Sequence, residues 1–183
     1  MVDRRDRSTP KARDGGKRQF SLATATLVMV LDDGVADISR TQTITATPQA
    51  IWDVLADFGA LSSWSANADH SCILNHGPDG GALGTTRRVQ VGRNTLVERI
   101  VEFDPPTALA YGIEGLPRRL RHVANRWTLR PGVGATEVTL TSTVDIGAGP
   151  LAQAAEWVIC RGMARESDSM LAGLAQRMEH PDG

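Results

Sequence analysis

Residues 121–146, RHVANRWTLRPGVGATEVTLTSTVDI, decide the fold, because they place two β-strands around one tight turn. Apolar side chains alternate with polar ones in both arms, which is the two-residue period of a half-buried strand. The arms are predicted at 121–130 and 135–146, and residues 131–134 between them supply one proline and two glycines, the residues that turns favour. Such a short connection permits only antiparallel neighbours, since a parallel return needs about a dozen residues.

Four more strands precede this hairpin and are separated by further Gly and Pro turns, so they extend the same antiparallel sheet. They are predicted at residues 70–76, 83–91, 94–103 and 108–114. In strand 94–103 charged residues share both faces with apolar ones, so the pattern does not decide which face is buried.

A first strand at 36–46 is followed by a helix start, where Thr47 is the capping residue and Pro48 takes the first helical position. Ile51, Trp52, Leu55 and Phe58 form its apolar stripe. Gly59 is predicted to end this helix, and a second short helix carries Leu61 and Trp64.

The chain closes with one long predicted helix, from Pro150 to about Glu179, without a further proline. At 1.5 Å per residue it is roughly 45 Å long. Its apolar stripe consists of Leu151, Ala155, Ile159, Met163, Met170, Leu174 and Met178.

The element order β-α-α-β6-α predicts an α+β fold in which a seven-stranded, curved antiparallel sheet wraps around the long C-terminal helix. One helix does not fill the concave side of seven twisted strands. The sequence therefore predicts an internal cavity for a hydrophobic small molecule, and a collapsed, solid core is the alternative.

Strand parity places polar side chains on the apolar face, and each must find a partner, a ligand or water. We predict that some of them orient a polar group of the ligand, while the alternative for Arg40, Gln42 and Arg87 is that they lie near strand ends and reach solvent. The predicted ligand-binding residues are Trp52, Phe58, Trp64, Arg87, Val89, Tyr111, Asn125, Trp127, Leu140, Ser142, Ile159 and Met163.

Composition limits the function further. The 183 residues carry a formal net charge of −1, which gives no reason to expect nucleic acid as a partner. Cys72 and Cys160 have no metal-ligand or disulfide spacing, so two reduced thiols and a cytoplasmic location are predicted. The four histidines include no pair spaced for zinc, and no cofactor, metal or nucleophile motif is found.

The chain is predicted to contain a disordered or weakly ordered N-terminal extension at 1–35, a ligand-binding domain at 36–179 and a tail at 180–183. No apolar run reaches the ~20 residues of a transmembrane helix. Residues 20–31 follow a basic stretch and faintly resemble a secretory signal, although polar residues interrupt them. The sequence assigns no oligomeric state.

Several of these segments resemble the polyketide cyclase/dehydrase and lipid-transport superfamily (SRPBCC, START-related) over roughly residues 36–178. The resemblance implies a helix-grip fold with a deep pocket between sheet and helix, and ligands such as lipids, polyketides or quinones. The matching segments are Thr47-Pro48, Ile51-Trp52, Leu55, Phe58, Trp64, Gly84-Thr85, residues 98–106, Leu109, residues 126–129 and Thr136.

Three functions follow from these observations. The first is binding, and possible transport, of a hydrophobic small molecule. The second is a cyclase or dehydratase in which Tyr111, Arg87 or His122 assists proton transfer. The third is an interaction module that docks through residues 118–122 or through the basic N-terminal stretch. The sequence leaves open whether the protein is an enzyme.

Overall fold

The computed structural model describes residues 26–32, 35–116, 122–145 and 150–180, with side chains described from residue 35 and, in the last helix, from residue 161. Within these residues one sheet of eight strands packs against a long helix. The strands are β1 Thr26–Asp32, β2 Val35–Ile44, β3 His70–Asn75, β4 Thr86–Val91, β5 Asn94–Asp104, β6 Ala108–Glu114, β7 His122–Pro131 and β8 Thr136–Asp145. The helices are α1 Pro48–Ala56 and α2 Pro150–Glu179, with 3₁₀ helices at Phe58–Ser63 and Pro78–Gly80.

The predicted fold class is confirmed, and the described sheet has one strand more than the seven predicted. The additional strand, β1, lies in the segment predicted as an extension and pairs antiparallel with β2. Its apolar residues overlap the run 20–31 that resembles a secretory signal, and this resemblance obscured the strand. Residues 1–25 lie outside the described residues, and the two boundaries between the three predicted segments stay predictions.

The strand order is β1-β2-β8-β7-β6-β5-β4-β3, and every pair is antiparallel. After β2 the chain crosses by α1 and the 3₁₀ helix Phe58–Ser63 to the far edge, and then returns strand by strand until β8 lies beside β2. Helix α2 follows directly and packs against β2, β8 and α1. This path places the last helix over the apolar face of the sheet.

The predicted start of α1 is confirmed. The Ala50 N–H donates to Thr47 Oγ1 at 3.2 Å, and Pro48 begins the helix. The prediction that Gly59 ends the helix is wrong, because α1 ends at Ala56 and Gly59 lies inside the following 3₁₀ helix. A Cβ at Gly59 would lie 3.0 Å from Ile73 Cγ1, so the glycine allows this helix to approach β3 closely.

A β-bulge resolves the ambiguous strand β5. Ile100 pairs with Tyr111 while Glu102 pairs with Ala110, so the register shifts around Val101. Before the bulge Glu98 and Ile100 face the core, and after it Phe103 packs against Trp52 with ring centroids 4.9 Å apart. The shift explains why neither alternation fits the whole strand.

Candidate functional site

Two neighbouring cavities lie between the sheet and α2, with volumes of about 230 Å³ and about 220 Å³. We call them the β8 cavity and the β4 cavity, after the strand that lines only one of them. Ile113, Asn125, Glu166 and Met170 line both. The β8 cavity is otherwise lined by Leu116, Val123, Ser142, Val144, Met163 and Ser167, and the β4 cavity by Leu61, Ser65, Asn67, Ala68, Val89, Val91, Leu96, Glu98 and Tyr111.

A chain of hydrogen bonds crosses the floor of these cavities and connects three strands to α2. Ser142 Oγ donates to Asn125 Oδ1 at 2.6 Å, and Asn125 Nδ2 donates to Tyr111 Oη at 3.3 Å. At the other end Ser142 Oγ lies 3.1 Å from Ser167 Oγ. Buried polar groups on β6, β7, β8 and α2 thus satisfy one another, as polar groups in an apolar interior must.

Tyr111 is the largest side chain in this row of hydrogen bonds, and only 1% of its surface is exposed. Burial raises the pKa of its hydroxyl to about 12, and the nearby Glu98 carboxylate contributes in the same direction. The Tyr111 hydroxyl therefore stays protonated at neutral pH. It accepts from Asn125 and remains a hydrogen-bond donor rather than a base.

Arg87 and Glu98 form a buried ion pair next to Tyr111. Arg87 Nε donates to Glu98 Oε2 at 2.6 Å, and Arg87 Nη1 donates to the Phe58 carbonyl at 2.8 Å. The guanidinium carbon lies 3.9 Å from the Phe58 ring centroid and 4.9 Å from that of Tyr111. The guanidinium is thus paired and covered by aromatic rings, and Arg87 does not line either cavity.

Glu166 lies at the rim, where α2 passes over both cavities. The residue is exposed, so the rim reaches solvent. The pKa of its carboxyl is raised, first because the group is partly buried and also because Glu98 is close, while a hydrogen bond from Asn67 acts in the opposite direction. Asn67 Nδ2 also donates to the Glu166 carbonyl at 3.4 Å, which ties the loop before β3 to α2.

The structure brings five of the twelve predicted ligand-binding residues to the two cavities: Val89, Tyr111, Asn125, Ser142 and Met163. Trp64 instead lines a separate polar notch of about 320 Å³ between the 3₁₀ helix and the end of α2. The side chain of Ile159 lies outside the described residues. The remaining five, which line neither cavity, are Trp52, Phe58, Arg87, Trp127 and Leu140.

These five residues face the interior, as strand and helix parity predicts, but they pack against other side chains instead of lining a cavity. Trp52, Phe58, Trp127 and Leu140 are at most 4% exposed and belong to one packed hydrophobic cluster. Neither alternative predicted for Arg87 is found, because it contacts Glu98 rather than a cavity or solvent. Arg40 pairs with Asp168 of α2, with Nε and Oδ1 3.1 Å apart. The ligand-binding role of the twelve residues stays a prediction.

Sequence reasoning missed Glu98, Glu166 and Ser167, although two signals were present. The two-residue turn after β4 pairs Val91 with Asn94, and this register puts Arg87 directly opposite Glu98. On α2, the apolar stripe that contains Met163 and Met170 is interrupted between them, where Glu166 and Ser167 stand. A polar interruption of a buried stripe indicates a partner or a cavity.

A metal site, the docking edge around His122 and a membrane-spanning helix are three other features that the structure can be searched for. In the part of the chain that the structure describes, no group of three or more His, Cys, Asp or Glu side chains is arranged to hold a metal ion. His122 is exposed at the start of β7 and lines neither cavity, and residues 118–121 of the predicted docking edge lie outside the described residues. None of the described helices combines the length and the apolar character that a bilayer span requires.

Comparisons with known proteins agree with this architecture. A family model described as "Polyketide cyclase / dehydrase and lipid transport" matches residues 35–179. No curated protein matches the chain by sequence. Among solved structures, the di-domain aromatase/cyclase StfQ of the steffimycin biosynthetic pathway is similar with a TM-score of 0.68 and 14% identity, over 81% of this chain and 52% of that chain. This chain therefore spans about half the length of that di-domain protein.

Two further structures are similar over nearly their whole length. The Zhui aromatase/cyclase of Streptomyces sp. R1128 aligns with a TM-score of 0.61 and 21% identity, over 81% of this chain and 99% of that chain. A protein of Thermus thermophilus aligns with a TM-score of 0.64 and 16% identity, over 80% of this chain and 99% of that chain. At these identities the likeness shows the fold.

Proposed function

We propose that this chain, which belongs to the polyketide cyclase/dehydrase and lipid transport family, binds a hydrophobic small molecule in the β8 and β4 cavities. The observation that carries the proposal is the pair of cavities itself, because they are mostly apolar, share four lining residues and contain few polar groups. A small number of placed polar groups in an apolar cleft is typical of small-molecule sites.

The size of the cavities fits one compact ligand. Each is smaller than the roughly 300–1,000 Å³ of common ligand pockets, but together they approach that range. Met170 lines both cavities from α2, and an unbranched methionine changes rotamer easily. Movement of Met170 would let a ligand occupy both cavities at once.

The row of hydrogen-bonded side chains on the cavity floor orients the ligand in this proposal. Tyr111 and Asn125 line the β4 cavity, so a ligand oxygen there can accept a hydrogen bond from the Tyr111 hydroxyl. The rest of the ligand would lie against Val144 and Met163 in the β8 cavity. Packing against apolar side chains supplies affinity, and the single polar contact supplies orientation.

The experiment is a binding titration with an uncharged apolar dye such as Nile red, combined with native mass spectrometry of the purified protein. Ile113→Trp places a large ring where both cavities meet and is expected to abolish dye binding. Val101→Trp is the matched control, because Val101 is 56% exposed and lies in the bulge of β5. Equal dye binding by wild type and Ile113→Trp would contradict the proposal.

A cyclase or dehydratase that uses the same cavities is the second candidate. Glu166 favours it, because a carboxyl whose pKa is raised and which lines both cavities is suited to proton transfer. Recovery of a bound ligand after incubation separates the two functions. A mass reduced by one water supports a dehydratase, and an unchanged mass with a changed chromatographic retention supports a cyclase that forms an isomer. Unchanged mass and unchanged retention support binding.

A further inference from the structure

The charged side chains that line the two cavities are all acidic in the described part of the chain. Glu98 lines the β4 cavity and Glu166 lines both. No arginine, lysine or histidine is found among the described lining residues of either cavity. The polar end of a ligand therefore meets carboxylates, hydroxyls and the amides of Asn67 and Asn125 rather than a cation.

The buried cation next to the β4 cavity does not change this. Arg87 is held by Glu98 and by the Phe58 carbonyl, and its flat faces are covered by aromatic rings. Arg87 and Glu98 have only 4% and 7% of their side chains exposed, so packing fixes the geometry of the pair and holds Arg87 away from a ligand. Arg87 thus compensates Glu98 and leaves Glu166 as the charge that a ligand meets.

The surroundings of Glu166 reinforce its selectivity. The described charge that acts on it is Glu98, a like charge, and Asn67 is its side-chain hydrogen-bond partner. A carboxylate brought into the cavity by a ligand would be repelled by Glu166 in a partly desolvated space, where charge–charge interactions are stronger than in water. A hydroxyl or ammonium group would instead donate to the carboxylate oxygens.

We infer that Glu166 determines ligand specificity: the cavities accept apolar molecules whose polar end donates hydrogen bonds, an alcohol, phenol or amine, and reject those that end in a carboxylate. This inference rests on the proposed function, since it concerns the ligand of the same cavities. Glu166 would thus discriminate between ligands that the apolar lining alone accepts equally.

Three naphthalene derivatives test it, because they share one compact apolar body and differ in the polar group. Isothermal titration at neutral pH with 2-naphthol, 2-naphthylmethylamine and 2-naphthoate is expected to show the naphthoate binding at least about tenfold more weakly, as like-charge contacts disfavour association. Glu166→Gln is expected to remove most of this difference, and Glu166→Lys to reverse the order of amine and naphthoate.

Glu179→Gln is the matched control, because Glu179 is an exposed glutamate at the end of the same helix and lines neither cavity. It should leave the ligand order unchanged, and thermal unfolding checks that every variant is folded. Naphthoate binding as strong as that of naphthol, or an unchanged order in both Glu166 variants, overturns the inference. If Nile red still binds in that case the proposed function stands, whereas a protein that binds neither the dye nor any naphthalene contradicts both.

Discussion

The interior of this protein has two halves that share the same sheet and helix but are filled differently. In the packed half, the rings of Phe58 and Tyr111 cover the guanidinium of Arg87, which is paired with Glu98. Tyr111 and Glu98 also form the border of this half with the β4 cavity. In the hollow half, small serines stand where large apolar residues would fill the space.

Two of these serines explain the hollow. Ser142 lies between Leu140 and Val144 on the inner face of β8, and Ser167 interrupts the apolar stripe of α2. Their hydroxyls are 3.1 Å apart, so they bond to each other across the space between sheet and helix without filling it. Side-chain volume at a few facing positions, and not strand number alone, thus determines where this helix-grip interior is open.

The largest expected effect concerns the packed half. Arg87→Met removes one partner of a pair whose side chains are 4% and 7% exposed, leaving Glu98 charged and buried. Unfolding in urea should show a loss of about 3–5 kcal/mol. The double variant Arg87→Met/Glu98→Leu should recover most of that loss, because both charges are then absent. A double variant as unstable as the single one would show that packing, and not charge, dominates this half.

A smaller loss of stability is expected when one residue of α2 in each half is truncated to alanine. Leu174 is fully buried in the packed cluster, whereas Met163 is half-buried and lines the β8 cavity. Leu174→Ala should lower the free energy of unfolding by about 2–5 kcal/mol, as deletions in closed cores do. Met163→Ala should lower it by about 1 kcal/mol, because the side chain is less buried and already borders empty space. Equal losses at the two positions would contradict the division into halves.

The smallest expected effect is on the pH dependence of folding stability, to which Glu166 and Glu102 contribute with opposite signs. The pKa of Glu166 is raised by partial burial, so the folded state binds its proton more tightly and stability falls as pH rises through the window above the unfolded pKa. On the outer face the hydrogen bond from Arg126 lowers the pKa of Glu102, so its stabilisation is lost as pH falls through the folded pKa.

Glu166→Gln should therefore raise stability at neutral pH, and Glu102→Gln should lower it. Each effect should be a few tenths of a kcal/mol, since solvent screens both groups. Urea unfolding at pH values from acid to neutral measures these differences, and each difference from wild type should vanish in acid. Two effects of the same sign at neutral pH would show that the surroundings of Glu166 do not oppose its charge.

Local pattern was sufficient for most of the secondary structure. The predicted helix from Pro150 to about Glu179 is found at Pro150–Glu179, and β6 is found at 108–114 as predicted. These elements are long and regular, or bounded by Gly and Pro, so their periods are unambiguous. The eighth strand was missed because the apolar residues of β1 overlap the run 20–31, which resembles a secretory signal.

The candidate site was only partly predictable. Parity identified which side chains face inward, including Tyr111, Asn125 and Ser142, but it does not measure how much space remains around them. The hairpin register predicts that Glu98 lies opposite Arg87. The bulge at Val101 breaks the alternation of β5, so the inward-facing residues of that strand were not predictable from its pattern. Predicted cytoplasmic location and the absence of nucleic-acid partners stay predictions.

The order of the elements, their antiparallel connection and the long closing helix follow from local sequence, because turns and periodicity are properties of neighbouring residues. Packing in three dimensions is what makes Trp127 and Leu140 fill the interior while Ser142 and Ser167 leave it open, and what brings Glu166 to the rim of both cavities. Empty space is set by the distance between surfaces that are remote along the chain. That distance emerges when sheet and helix pack, and no local pattern encodes it.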